Sequence, residues 1–135
     1  TEIYTLSLHD ALPICQTFYY RPSLDEIHDL IIDTINTATD EKILNGFVWK
    51  GTKVYLSTEN QSNFKAAYDL NVQTGGALLP IKFKLGEDAD GTPLYHTFED
   101  MQDFSDFYMS AVAYINQCLN EGWVEKDGLD LTPYA

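Results

Sequence analysis

The sequence predicts an α+β domain in the order helix, β-hairpin, helix, β-hairpin, long helix, with antiparallel strands packed on helices. Three observations point to it. Apolar residues recur at three- and four-residue steps in three segments, the spacing of one buried helical face. Two shorter segments, "GFVWKGTKVYLS" and "IKFKL" with "LYHTF", read as strand pairs around glycine-containing turns. Capping residues precede the helical segments. Strands joined as hairpins pair antiparallel, which argues against a βαβ nucleotide fold.

The first helix starts at "RPSLDEIHDLII", where Ser23 and Glu26 have the S-x-x-E spacing of a capping box. Leu24, Ile27, Leu30, Ile31, Ile35 and Ala38 then form its expected buried stripe. Thr34, Thr37 and Thr39 are poor helix formers, so a fray or break is expected near Thr39 and Asp40. Ile43 and Leu44 extend the pattern to a left-handed stop at Asn45-Gly46. The first hairpin pairs Phe47–Trp49 with Lys53–Leu56 around Lys50-Gly51-Thr52.

Ser57 or Thr58 caps the second helix, with Gln61 completing a box after Thr58 and with Phe64, Ala67, Tyr68 and Asn71 on one face. Two glycines, Gly75 and Gly76, end it. Ile81, Phe83 and Leu85 alternate with lysines, the period-two pattern of a half-buried strand. "GEDADGTP" is turn chemistry leading back into "LYHTF". Thr97 is expected to cap the last helix, whose stripe runs through Met101, Phe104, Tyr108, Ala111, Val112, Ile115, Cys118 and Leu119 to a stop at Gly122. The chain is thus divided into an N-terminal segment 1–15, a linker or remnant 16–22, one α+β domain 23–122 and a C-terminal tail 123–135.

Residues Thr1 to Ile14 read as a frame-correct translation of a common sequencing adapter, all fourteen residues matching codon by codon. They are expected to be foreign to the protein and to lack evolved packing. The junction falls inside codon 15, so Cys15 is no guide to thiol chemistry. On this reading native sequence starts near Gln16, with an unknown length missing upstream. The remaining 135 − 15 = 120 residues suit one core, which buries about two-thirds of the unfolded surface. Without Glu2 and Asp10, 21 − 2 = 19 acidic residues face 8 basic ones, a formal charge of −11. That balance opposes nucleic-acid and anionic-membrane binding. It suits solubility, a basic protein partner or mimicry of nucleic acid. With Cys15 set aside, Cys118 stands alone and no disulfide framework is predicted.

No motif carries catalysis, a cofactor or a metal. "GEDADG" alternates carboxylates as a calcium loop does, but with Gly91 at position six, Gly86 stands at one and Thr97 at twelve, where carboxylates are required. His28 and His96 lack zinc-site spacing, and "TGG" lacks the lysine of a phosphate loop. The surplus is aromatic: Phe18, Tyr19, Tyr20, Phe47, Trp49, Tyr55, Phe107, Tyr114 and Trp123. Phe107 and Tyr114, seven apart beside the core stripe, either widen the buried face or meet a partner chain. Together with Trp49 and Tyr55 they are the candidate partner-contact residues.

The order of "ILNGFVWKGTKVYLSTENQSNFKAAY", "LPIKF", "DGTPLYHTF" and "FYMSAVAYINQCLNEG" resembles an uncharacterised domain family of tailed-phage and prophage tail-fibre-associated proteins. The resemblance spans Leu24 to Leu129 and brings no catalytic residues. It implies a non-enzymatic structural or assembly module acting through protein contacts with tail or virion components. Homo-oligomerisation through a missing upstream segment, and passage from the host cytoplasm into the virion, would follow. The rival expectations are a small acidic inhibitor of a basic host protein, and an enzyme whose carboxylate site is assembled from distant positions.

Overall fold

The computed structural model describes residues 21–135. The adapter-like segment, Cys15 and the aromatics Phe18, Tyr19 and Tyr20 lie outside the described residues. The expected α+β architecture is present: α1 (Leu24–Asn45), β1 (Phe47–Trp49), β2 (Thr52–Val54), α2 (Thr58–Thr74), β3 (Ile81–Glu87), β4 (Pro93–Phe98), α3 (Met101–Asp127) and a 3-10 turn at Thr132–Tyr134. Among the described residues β1 pairs with β2 and β3 with β4, both antiparallel. The described chain divides into two compact units, 33–129 and 21–32 with 130–135.

In the smaller unit the capping box forms as its spacing predicts. Ser23 N–H donates to Glu26 Oε1 at 3.0 Å, and Glu26 N–H donates to Ser23 Oγ at 3.1 Å. Leu24 and Leu30, expected in the buried stripe, are exposed. Near the C-terminus Thr132 N–H donates to Asp130 Oδ1 at 2.9 Å, and hydrogen bonding from Thr132 holds the Asp130 carboxyl below its usual range.

The larger unit is built on rings. Phe107 of α3 is fully buried, with Phe98 of β4 at 4.9 Å, Phe64 of α2 at 5.1 Å, Trp49 of β1 at 5.5 Å and Phe47 of β1 at 6.2 Å, centroid to centroid. The contacts with Phe64 and Trp49 are edge-to-face, the favoured arrangement for ring quadrupoles. One turn earlier, Phe104 meets Phe98, Phe83 and Tyr68. A single turn of α3 therefore gathers both hairpins and α2.

Helix α1 joins the larger unit's core along Ile35, Thr39 and Ile43, so the buried face includes Thr39 and leaves Ala38 outside. No break occurs at Thr39. A Cβ on Gly122 would lie 2.6 Å from Thr39 Oγ1, so glycine there allows close approach of two helices. The expected stop at Gly122 is therefore wrong: α3 continues through Trp123–Asp127, and Gly128 N–H donates to the Val124 carbonyl. Gly46 is likewise no left-handed stop. A Cβ there would collide with the Tyr114 hydroxyl, which donates to the Lys42 carbonyl at 2.7 Å.

Local chemistry explains the remaining boundaries. The first hairpin turns on two residues, Lys50 and Gly51, both at positive φ (45° and 81°), so Thr52 pairs with Trp49 where a three-residue turn had been expected. Ser57 caps α2 by accepting from Asn60 N–H at 3.1 Å, while Gln61 reaches back to the Leu56 carbonyl. Phe64, Ala67 and Asn71 form the buried face as predicted, and Gly75 ends the helix in the left-handed region. Asp100, not Thr97, caps α3, accepting from Asp103 N–H at 2.9 Å. Thr97 is used as a strand residue opposite Lys82.

Gly122→Ala is expected to destabilise the domain by about 1–3 kcal/mol through overpacking, outweighing the roughly 1 kcal/mol that alanine gains in helix propensity. Thr39 is β-branched and stiff at χ1, so it yields poorly. Adding Thr39→Ala leaves its Cβ at an ordinary 3.7 Å and should recover most of the loss. Urea unfolding of the single and double variants checks this.

Candidate functional site

The four predicted contact residues fall in different settings. Phe107 is the centre of the core and unavailable to any partner, which corrects its assignment as a contact. The residues at 104 and 111 bracket it on the buried face, so the helical stripe is one position wider than its spacing suggests. Trp49 is half-buried, edge-on to Phe107, with the Lys50 ammonium 5.2 Å from its ring. Its Nε1 is buried without a hydrogen-bond partner among the described residues, a cost of about 1–3 kcal/mol. Trp49 is a wall of the core.

Tyr114 is half-buried between α1 and α3, its ring 5.5 Å from Phe47. Burial first, then the neighbouring Cys118 thiol and the charge of Glu121, push its pKa up to about 12. Tyr55 alone is open, with 44% of its surface exposed.

Tyr55 lines a groove of about 660 Å³ where the two hairpins and the start of α2 meet. A register irregularity between Lys84 and Gly86 places Gly86 against the second strand, and Tyr55 N–H donates to the Leu85 carbonyl at 2.6 Å. A Cβ on Gly86 would lie 3.1 Å from the Lys53 carbonyl, so the approach depends on glycine. Asn60 Nδ2 donates to the Tyr55 carbonyl at 2.7 Å and fixes the rim. Lys84 is bound to Glu87 at 2.9 Å, and this hydrogen bond raises its pKa. Lys53 and Glu59 have no ion-pair partner among the described residues.

Helix α3 carries a second surface. Met109, Val112, Asn116, Leu119 and Trp123 follow one another along α3 at alternating steps of three and four. Met109 is 63% and Trp123 51% exposed, and Val112 is exposed beside a small depression of about 240 Å³ at Leu56, Tyr108 and Ile115. The spacing was visible in the sequence. Leu119 also packs against the core, as its place in the core stripe predicts, whereas Val112 is exposed and Trp123 is exposed on α3 rather than in a tail.

The other motifs resolve into structure. Asp88 Oδ1 accepts from the N–H groups of Asp90 and Thr92, both at 2.9 Å, so "GEDADG" is a self-bonded turn. His96 packs against Phe98, and His28 is exposed beside Asp29. Among the described residues no three His, Cys, Asp or Glu side chains gather as a metal site, and no helix is long and apolar enough to cross a membrane.

Residues 26–135 match the family described as a domain of unknown function, DUF4376, and the chain belongs to that family. No curated protein and no solved structure matches it.

The raised Tyr114 pKa has a stability consequence with a defined sign. Folding favours the neutral phenol, so this contribution is complete below the ordinary value of 10.0 and is lost as pH rises from there through about 12. Tyr114→Phe should remove the latest tyrosinate step in an ultraviolet pH titration and flatten that part of the stability profile. A titration curve unchanged except in amplitude would contradict the assignment.

Proposed function

We propose that this DUF4376 domain is a non-enzymatic module of tailed-phage or prophage particles that works by protein contact, its partner being an amphipathic helix of a tail or virion component. The observation that carries the contact reading is the stripe Met109, Val112, Asn116 and Trp123, exposed on α3 and flanked by the partly buried Leu119. Three- and four-residue alternation is the spacing by which one helix meets another, and a lone polar residue among apolar ones sets register. The large rings of the core are committed inward, so this stripe supplies the apolar area that a partner needs. The phage context rests on the order of motifs from Leu24 to Leu129. The surplus of acidic residues favours a second reading, an inhibitor of a basic host protein.

One pull-down from cells producing phage separates the two. The contact reading expects tail or virion proteins to be captured and to stay bound in high salt, with Trp123→Ala weakening capture by about 2 kcal/mol, roughly 30-fold. Met109→Glu should abolish it while circular dichroism stays native. Capture of a basic host protein that collapses with salt would favour the inhibitor instead. Absence of the chain from purified virions and from tail-assembly intermediates, despite expression, would overturn the phage reading.

A further inference from the structure

We infer that the groove between the hairpins binds a neutral, hydroxyl-rich ligand, a short glycan, with one sugar ring laid on Tyr55. This site is separate from the α3 stripe and does not depend on it. Its walls hold the ammonium groups of Lys53 and Lys84 and the carboxylates of Glu59, Glu87 and Asp88, two positive against three negative. Lys84 is tied to Glu87 at 2.9 Å, so little positive potential is left over. An anionic ligand therefore gains nothing from this groove.

An apolar ligand fares no better, because Tyr55 is the one large ring on the lining. A peptide would want apolar pockets for its side chains, which such walls do not offer. Vicinal hydroxyls suit what remains. Asp88 spends Oδ1 on two backbone N–H groups, leaving Oδ2 without a partner among the described residues. Glu59 can accept two hydroxyl protons, Lys53 can donate, and Tyr55, exposed over 44% of the residue, offers its ring to sugar C–H groups. The scaffold is held in advance: Tyr55 donates its N–H to Leu85, and its carbonyl accepts from Asn60. Rigid support of this kind lowers the cost of binding.

The test is titration of the ¹⁵N-labelled chain with maltotriose, mannotriose and tri-N-acetylglucosamine, read by amide chemical shifts. At least one should produce saturable shifts at Tyr55, Asn60 and Gly86. Tyr55→Ala should weaken that binding at least about tenfold, about 1.4 kcal/mol. Glu59→Gln should weaken it several-fold, and neither variant should disturb shifts in α3, because both side chains lie outside the core. No saturable shift in the groove with any of the three, shifts unaltered by Tyr55→Ala, or tighter binding of a sulfated trisaccharide would each overturn the proposal.

Discussion

The fold of the larger unit depends on one residue's surroundings. Phe107 is enclosed by rings from β1, α2 and β4, and its neighbour Phe104 adds β3. Neither two-stranded sheet would be stable alone, since an isolated hairpin is marginal in water. Each becomes persistent by laying its aromatic face on the same turn of α3. Edge-to-face pairs add about 0.5–1.5 kcal/mol each beyond burial, so the cluster also selects an orientation for every element it touches.

Ring packing at one end of α3 leaves backbones to approach closely elsewhere. Gly122 lets α1 pass at Thr39, Gly46 admits the Tyr114 hydroxyl to the Lys42 carbonyl, and Lys126 reaches Asn36 Oδ1 at 2.8 Å. Gly86 likewise lets the two hairpins share a backbone hydrogen bond. That contact creates the groove. Inward commitment of Phe107 and Trp49 also decides what is left outside: Tyr55 on the groove, and Met109, Val112 and Trp123 on α3. Binding surfaces and core are thus two consequences of the same side-chain partition.

Much of the fold was legible because local chemistry and global packing agree. The Ser23–Glu26 box, the Gly51 turn, the Gly75 stop and the Phe64–Ala67–Asn71 face all form as spacing predicts. The errors share a cause. Glycine ends helices by positive φ, which predicts a left-handed stop at Gly46 and a stop at Gly122; α1 does end at Asn45, but without positive φ, and each glycine is small for the sake of a residue 68 or 83 positions away, Tyr114 or Thr39. Thr39 was read as a weak point for its propensity, which burial against Gly122 overrides. Of the two roles open to Phe107, widening the buried face is the one realised and partner contact is not, because a spacing argument fixes the centre of a helical stripe better than its width. Of the candidate groove, Tyr55 and the acidic start of "GEDADG" stand out in the sequence. The groove needs the register shift at Leu85, and no periodicity in the sequence announces it.

Native-state hydrogen exchange tests the central claim, that the Phe107 cluster makes residues 33–129 one cooperative unit. The slowest amides of β1, α2, β4 and the Phe104–Ala111 turns of α3 should exchange with one common free energy, equal to that of global unfolding by urea. A first hairpin exchanging at a free energy well below that of α3 would contradict the account, because it would show β1 opening while the ring cluster stays intact.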